Sequence, residues 1–239
     1  MLLVSSLLGG CAVESYIDPT PLSGSTAETM RAVRPDAMSL FPADQSAVTD
    51  AALTEILNGQ LELPGELRVA VVPVGQTPSF SGFAPEFAER SRQLDAEFLG
   101  QLRGSDRVAY AQYLPQMLTP RQVTVPLLRE AAARYRSDMV LIVHTATREY
   151  KNDRLLGKDR VRAYCEVEAV LVDVRSGTVP FSTNTTESFL ATKGRDDLNF
   201  RDTIARANQE AMGVAWQRVA GEAAGFLSDA GAAPVTRAE

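Results

Sequence analysis

The stretch Glu66-Leu67-Arg68-Val69-Ala70-Val71-Val72-Pro73-Val74 decides the fold. It is apolar almost throughout, rich in β-branched valine, and bounded by Pro64-Gly65 before and Gly75 after. A run of this length and composition suits an interior strand buried on both faces. Pro73 lacks a backbone N–H and is expected to mark the strand's end. A second such run, Met139-Val140-Leu141-Ile142-Val143-His144-Thr145-Ala146-Thr147, lies about 70 residues on. Two helical patterns and a short strand at 106–114 fill the interval. The first helix is entered through Pro85, repeats Phe87, Ser91, Leu94, Phe98 and Leu102, and closes at Gly104. The second opens at Thr124 and Pro126 and places Leu128, Ala131, Ala132 and Tyr135 on one side. Strands separated by helices read as crossovers, which parallel pairing requires.

Beyond His144 the pattern changes. Arg148-Glu149-Tyr150-Lys151-Asn152-Asp153-Arg154 is strongly polar and is expected to leave the core. Two long alternating strands follow, at about 159–174 and 178–191, joined through the turn signal Asp173-Val174-Arg175-Ser176-Gly177. An Ala-rich helix runs from about Leu198 to Ser228, with Asp196-Asp197 placed to cap it. Upstream, Val48, Ala52 and Ile56 with Leu53 and Leu57 form a short helix stopped at Asn58-Gly59. The expected order is α-β-α-β-α-β-β-β-α. The fold class is therefore α/β (α+β), a mixed sheet of about five strands with helices packed on it. Residues 1–10 read as a signal-peptide remnant, 11–45 as a cysteine and tether, 46–230 as one domain, and 231–239 as a frayed tail.

Composition agrees with one globular domain. The 239 residues are 45% hydrophobic and 23% charged, with a formal net charge of −6. An acidic chain is a poor partner for nucleic acid, which needs clustered Lys and Arg. No internal apolar run approaches the roughly 20 residues of a bilayer-spanning helix.

The N-terminus Met1-Leu2-Leu3-Val4-Ser5-Ser6-Leu7-Leu8-Gly9-Gly10-Cys11 is a short apolar run, two glycines and a cysteine. Leu8-Gly9-Gly10-Cys11 resembles a bacterial lipoprotein box. The resemblance implies diacylation of the Cys11 thiol, cleavage before it, and acylation of the new amino terminus, with palmitate among the chains. Two or more acyl chains are needed for stable attachment, because a single chain holds only marginally. By the same resemblance, Ala12 in place of Asp favours the outer membrane, with the protein facing the periplasm. The domain resembles a group of envelope proteins: the curli-secretion channel lipoprotein, the lipoprotein activators of penicillin-binding proteins, and the N-terminal domain of the Tol–Pal propeller protein. The resemblance is carried by Arg68-Val69-Ala70-Val71-Val72-Pro73-Val74, by Ala131-Ala132-Ala133-Arg134-Tyr135-Arg136-Ser137-Asp138-Met139-Val140-Leu141, and by Leu171-Val172-Asp173-Val174-Arg175-Ser176-Gly177. It implies a fold and an envelope setting, not one activity. Phe181-Ser182-Thr183-Asn184-Thr185-Thr186-Glu187 is too polar for the lipid-facing wall of a pore.

Residues able to do chemistry are sparse. His144 is the single histidine, which leaves no two-histidine metal site and reads as a histidine at the core edge. Cys165 alternates with Ala163 and Val167 and reads as a small core hydrophobe. Glu166 and Glu168 share a strand face with Arg162 and Tyr164. Paired carboxylates suit acid–base work, but a solvated outer face explains them more simply. No phosphate-binding loop appears. No catalytic residue, metal or cofactor is expected. Two surface features remain as partner-binding candidates. One is the hairpin tip, with Tyr150, Arg154, Leu155, Leu156 and Lys158, apolar residues inside a charged rim. The other is the loop holding Phe80 and Phe83. The leading expectation is a lipid-anchored envelope protein that binds or scaffolds an envelope protein partner. The alternatives are a ring-forming homo-oligomeric subunit of an assembly or secretion complex, and a hydrolase using Glu166, Glu168 or His144.

Overall fold

The computed structural model describes residues 39–41, 49–59, 61, 63–75, 85–152, 159–194, 197 and 199–230. A short helix, α1 (Asp50–Asn58), precedes strand β1 (Leu67–Val74), helix α2 (Pro85–Leu102), strand β2 (Val108–Tyr113) and helix α3 (Val125–Arg134). Three successive strands follow, β3 (Met139–Asn152), β4 (Arg160–Asp173) and β5 (Phe181–Thr192), and helix α4 (Phe200–Asp229) ends the domain. The element order is the one expected. The strands form one mixed sheet in the order β2-β1-β3-β4-β5. β1 pairs in parallel with β2 and with β3, and β3–β4 and β4–β5 are antiparallel.

The two crossovers leave in opposite directions, from β1 out to β2 and from β2 back past β1 to β3. Right-handed connections then place α2 and α3 on opposite faces of the sheet. On one face, α2 and α4 cover Leu67, Val69 and Val71 of β1, Met139, Leu141 and Val143 of β3, and the alternating row Val161, Ala163, Cys165, Val167, Ala169 and Leu171 of β4. On the other, α3 packs Leu128, Ala131 and Ala132 against Ala70, Val72 and Val74 of β1 and Val140 and Ile142 of β3. Each large apolar side chain taken fully from water contributes roughly 1.5–3 kcal/mol. β1 is buried on both faces because it is central and doubly covered. Pro73 does not terminate it: Pro73 pairs with Val143 and the strand continues to Val74.

Buried polar groups tie the helices down. The Gln209 side-chain amide of α4, 2% exposed, donates to the Phe87 carbonyl at 2.7 Å and to the Ser91 hydroxyl at 3.0 Å on α2. The Trp216 indole N–H donates to Thr145 Oγ1 of β3 at 3.0 Å, and its ring meets Phe98 edge-on at 5.6 Å. A Cβ on Gly213 would stand 2.8 Å from Leu94 Cδ2, so the bare backbone there lets α4 lie close to α2. The turn from β4 to β5 is clamped as well. The Asp173 carboxylate accepts from the backbone N–H groups of Arg175 (3.2 Å) and Ser176 (3.0 Å), and Arg129 of α3 donates to the Val174 carbonyl at 2.9 Å.

One local expectation is corrected. α4 is capped by Asn199, whose side chain accepts from the Asp202 N–H while Asp202 reaches back to the Asn199 N–H. Asp197 instead accepts from the Gly194 N–H (2.7 Å), the Thr203 hydroxyl (2.8 Å) and Arg206 (2.7 Å). Arg206 also donates to the Thr192 carbonyl, so the cluster pins the start of α4 to the end of β5. The short helix α1 forms and stops at Gly59 as its spacing indicates, and it buries none of its residues. Leu53, Ile56 and Leu57 remain exposed, because no described element packs closely over the row. The chain before α1 also meets the domain: Leu40 packs against the α3-side cluster, and its carbonyl accepts from the Val125 N–H at 3.0 Å.

Candidate functional site

β3 and β4 stay paired over 14 residues each, from Met139↔Asp173 to Asn152↔Arg160. β1 ends at Val74, opposite His144. Past that point the hairpin continues with β5 as the only other described strand beside it. α4 covers its inner side. Its outer side alternates out of the core and has no described helix over it, because α3 covers β1, the start of β3 and only the base of β4, at Val172.

That outer face is built by strand parity. β3 contributes His144, Ala146, Arg148 and Tyr150. Their partners on β4 are Glu168, Glu166, Tyr164 and Arg162. β5 continues the rows with Asn184, Thr186, Ser188 and Leu190. The face has a charge gradient. Arg148, Arg160 and Arg162 sit towards the hairpin tip, and Glu166 and Glu168 nearer the base. Asn184 Nδ2 donates to Glu166 Oε1 at 3.4 Å. Tyr150 is 66% exposed, and its ring meets Tyr164 edge-on at 5.6 Å and 86°. Exposed Tyr and Arg on a rigid strand surface are the residue types that dominate protein contacts, since they bury large area at low entropic cost.

At the base of this face, Gly75 leaves β1 with φ 82°, and a Cβ there would stand 2.7 Å from His144 Cδ2 and 2.9 Å from Nε2. The half-buried imidazole therefore lies on glycine backbone, beside Glu168 across the ladder. The expectation of a histidine at the core edge holds. Cys165 is buried on the inner face, and burial, with the neighbouring Glu166 charge second, pushes its thiol up to about 12. It packs as a small core hydrophobe, whereas a reactive thiol is an accessible one with a lowered value. Among the described residues no group of three or more His, Cys, Asp or Glu converges to hold a metal.

Of the partner-binding candidates, the structure places Tyr150 on the outer face. Arg154, Leu155, Leu156 and Lys158, and also Phe80 and Phe83, lie outside the described residues, as does Cys11. Strand parity in the sequence already put Arg162, Tyr164, Glu166 and Glu168 together. What was missed is that Arg148 and Tyr150 join them, because cross-strand register is a tertiary fact. A separate cleft of about 570 Å³ lies at the opposite end of the sheet, between α1 and the β4–β5 turn. Ile56, Arg175, Thr178 and Phe226 are among the residues that line it.

No protein-family model matches the chain, and no curated protein matches it. Solved structures do show likeness. The PelC dodecamer from Paraburkholderia phytofirmans is 16% identical, with a TM-score of 0.36 over 71% of this chain and 95% of that one. A minor lipoprotein from Acinetobacter baumannii is 8% identical, with a TM-score of 0.38 over 74% of this chain and 100% of that one. A lipoprotein from Neisseria meningitidis is 16% identical, with a TM-score of 0.32 over 61% of this chain and 99% of that one. At TM-scores this low the likeness transfers neither activity nor assembly.

Proposed function

We propose that the chain is a lipid-anchored bacterial envelope protein, held by Cys11 in the outer membrane and facing the periplasm. It works without catalysis, by binding a protein partner across the outer face of β3, β4 and β5. The observation that carries the binding part is the long hairpin face with Tyr150, Tyr164, Arg148 and Arg162, which no described helix covers, in a sheet whose apolar faces are covered by helices. The anchor rests on Leu8-Gly9-Gly10-Cys11. Glu166 and Glu168 lie on an open surface, whereas acid–base catalysis gains most in a site that excludes water.

A photo-crosslinking residue at Tyr150 or Arg162, in producing cells, should give a discrete protein adduct. The same residue at exposed Arg103, on the far side of the sheet, should give none. Equal labelling from both positions would refute the surface assignment. Cys11→Ser should release the protein from the membrane fraction, and unchanged sedimentation would refute the anchor. A second reading, self-assembly, is favoured by β5, a 12-residue strand at the sheet edge, because an open edge is a template for a further strand. The mass of the purified chain in solution separates the two readings.

A further inference from the structure

On the outer face of the hairpin, β3 and β4 set two tyrosines and two arginines in a chequer. Tyr150 stands directly opposite Arg162, and Arg148 directly opposite Tyr164. The tyrosines occupy one diagonal and meet edge-on at 5.6 Å. Arg148 and Arg162 occupy the other, where diagonal neighbours lie about 7–8 Å apart. Arg160 lies two residues from Arg162 on the same side of β4, about 6.8 Å along the strand. All three arginines are exposed. The ion pairs of the described arginines lie elsewhere, at Arg90, Arg92, Arg134, Arg175, Arg206 and Arg218. Glu166, on a diagonal from Arg148, accepts from Asn184 at 3.4 Å. The three guanidiniums therefore repel one another with no carboxylate among the described residues seated between them. Like charges set close on one sheet face cost stability, so folding alone gives no reason for the cluster.

The sequence around the cluster keeps the positive excess. From Arg148 to Tyr164 the chain carries six Lys and Arg against three Asp and Glu, in a protein of net charge −6. Of those three acids, Glu149 belongs by parity to the inner side, opposite Ala163. Asp159 precedes β4 and its carbonyl accepts from the Lys193 N–H, and Asp153 lies outside the described residues. Towards the base of the face the sign reverses, at Glu166 and Glu168. Glu168 is six residues from Arg162, about 20 Å along the strand. An anionic lipid surface or an anionic glycan lying along the hairpin would meet those carboxylates. A protein segment can confine its own carboxylates to the arginine end. It can also cover Tyr150, which is 66% exposed and held by Tyr164, and such rings carry much of the affinity of protein contacts. A second copy is a poorer occupant. A twofold axis that pairs Arg162 with Glu166 between copies passes level with Tyr164, and so sets Arg148 against its own equivalent.

We propose that the outer hairpin face at Arg148, Tyr150, Arg160, Arg162 and Tyr164 binds an acidic, extended segment of the protein partner, whose carboxylates seat between the arginines. Carboxylates two residues apart on an extended chain repeat at about 6.8 Å, the spacing of Arg160 and Arg162. The inference rests on the reading of this face as a protein-binding surface and adds the chemistry of what it binds.

The test uses the full chain carrying Cys11→Ser and a dye-labelled peptide in which glutamate alternates with threonine, read by fluorescence anisotropy. The peptide should bind, and less tightly as salt rises. Glutamine in place of its glutamates should weaken binding about tenfold or more. Arg148→Gln with Arg162→Gln should weaken it about tenfold, and Tyr150→Ser about threefold. Arg92→Gln with Arg103→Gln, the same change of charge on α2, should leave it unchanged. Arg148→Glu with Arg162→Glu should lose this peptide and bind its lysine counterpart, a gain that a misfolded chain does not give. Equal binding by the wild type and the Arg148 and Arg162 variants overturns the proposal. So does tighter binding to phosphatidylglycerol vesicles or to polygalacturonate, since the arginines would then serve a lipid or a glycan. The surface reading is tested separately, by the crosslinker at Tyr150 in producing cells. An adduct that persists when Arg148 and Arg162 are changed to glutamine keeps the surface and removes the acidic partner. Arginine-dependent peptide binding with no adduct keeps the carboxylate site and removes the protein-partner reading.

Discussion

Replacing Gly75 with alanine should destabilise the domain by about 2–4 kcal/mol. Two effects add. The backbone at Gly75 has φ 82°, and an L-residue in that left-handed region costs roughly 1–2 kcal/mol. The new Cβ would also stand 2.7 Å and 2.9 Å from two atoms of the His144 ring. Crowding a packed site costs typically about 1–3 kcal/mol. Alanine restricts the unfolded chain more than glycine and recovers roughly 0.4–1 kcal/mol. The net loss is large against a typical domain stability of about 5–15 kcal/mol. A double-mutant cycle separates the two causes. In a His144→Ala background the ring is gone and only the backbone penalty remains, so the cost of Gly75→Ala should fall to roughly 1 kcal/mol, a coupling of about 1–3 kcal/mol. Urea unfolding followed by the fluorescence of Trp216, the single tryptophan and 7% exposed, measures each corner of the cycle. A Gly75→Ala cost below about 0.5 kcal/mol, or an equal cost in both backgrounds, would refute the account of why glycine stands at the end of β1.

Other perturbations have equally definite outcomes. Arg136 closes α3 with φ 59°, donating its N–H to the Ala133 carbonyl while Ser137 donates to Ala132, so Arg136→Gly should stabilise by roughly 0.5–1 kcal/mol in urea unfolding. Thr145→Val keeps the volume but leaves the buried Trp216 N–H without its acceptor; it should cost about 1–3 kcal/mol and shift the tryptophan emission. In a Cys11→Ser chain, Cys165 should resist thiol reagents near neutral pH while the protein is folded and react fully in urea; ready reaction in the native state would contradict its burial. Burial alone would raise the Asp197 carboxyl, but the Gly194 N–H, the Thr203 hydroxyl and Arg206 outweigh it and hold the group below its ordinary value. Its stabilisation is therefore complete above about pH 4 and is lost as pH falls through the folded value. Asp197→Asn should lower the urea midpoint near pH 7 and differ less from the wild type in acid.

Much of the fold was legible because burial imposes periodicity. The doubly covered β1 reads as a nearly unbroken apolar run, and β4 reads as alternation from Arg160 to Glu168, where only its inner face is covered, by α4. The helix rows of α2 and α3 bury the residues their spacing selects. α1 shows the limit of the same reasoning. Its apolar row is as regular as the others, yet it buries none of its residues, since a pattern states what a helix is able to bury and not whether a partner is present. Asp197 misled for a related reason. An acid just before a helix looks like a cap, but here a guanidinium two turns into the helix claims the carboxylate, and Asn199 caps instead.

The candidate site divides along the same line. Local order along the chain determined the strands, the turn at Asp173–Gly177, and the shared face of Arg162, Tyr164, Glu166 and Glu168. It also supplied Leu8-Gly9-Gly10-Cys11, the basis for the proposed anchor. Only the tertiary structure decided that Arg148 and Tyr150 stand opposite Tyr164 and Arg162, that α3 stops short of covering them, and that His144 lies on Gly75. Such facts depend on register and on which helix crosses which face. These are set by packing between segments tens of residues apart, and a strand's own residues encode only which of its sides prefers water.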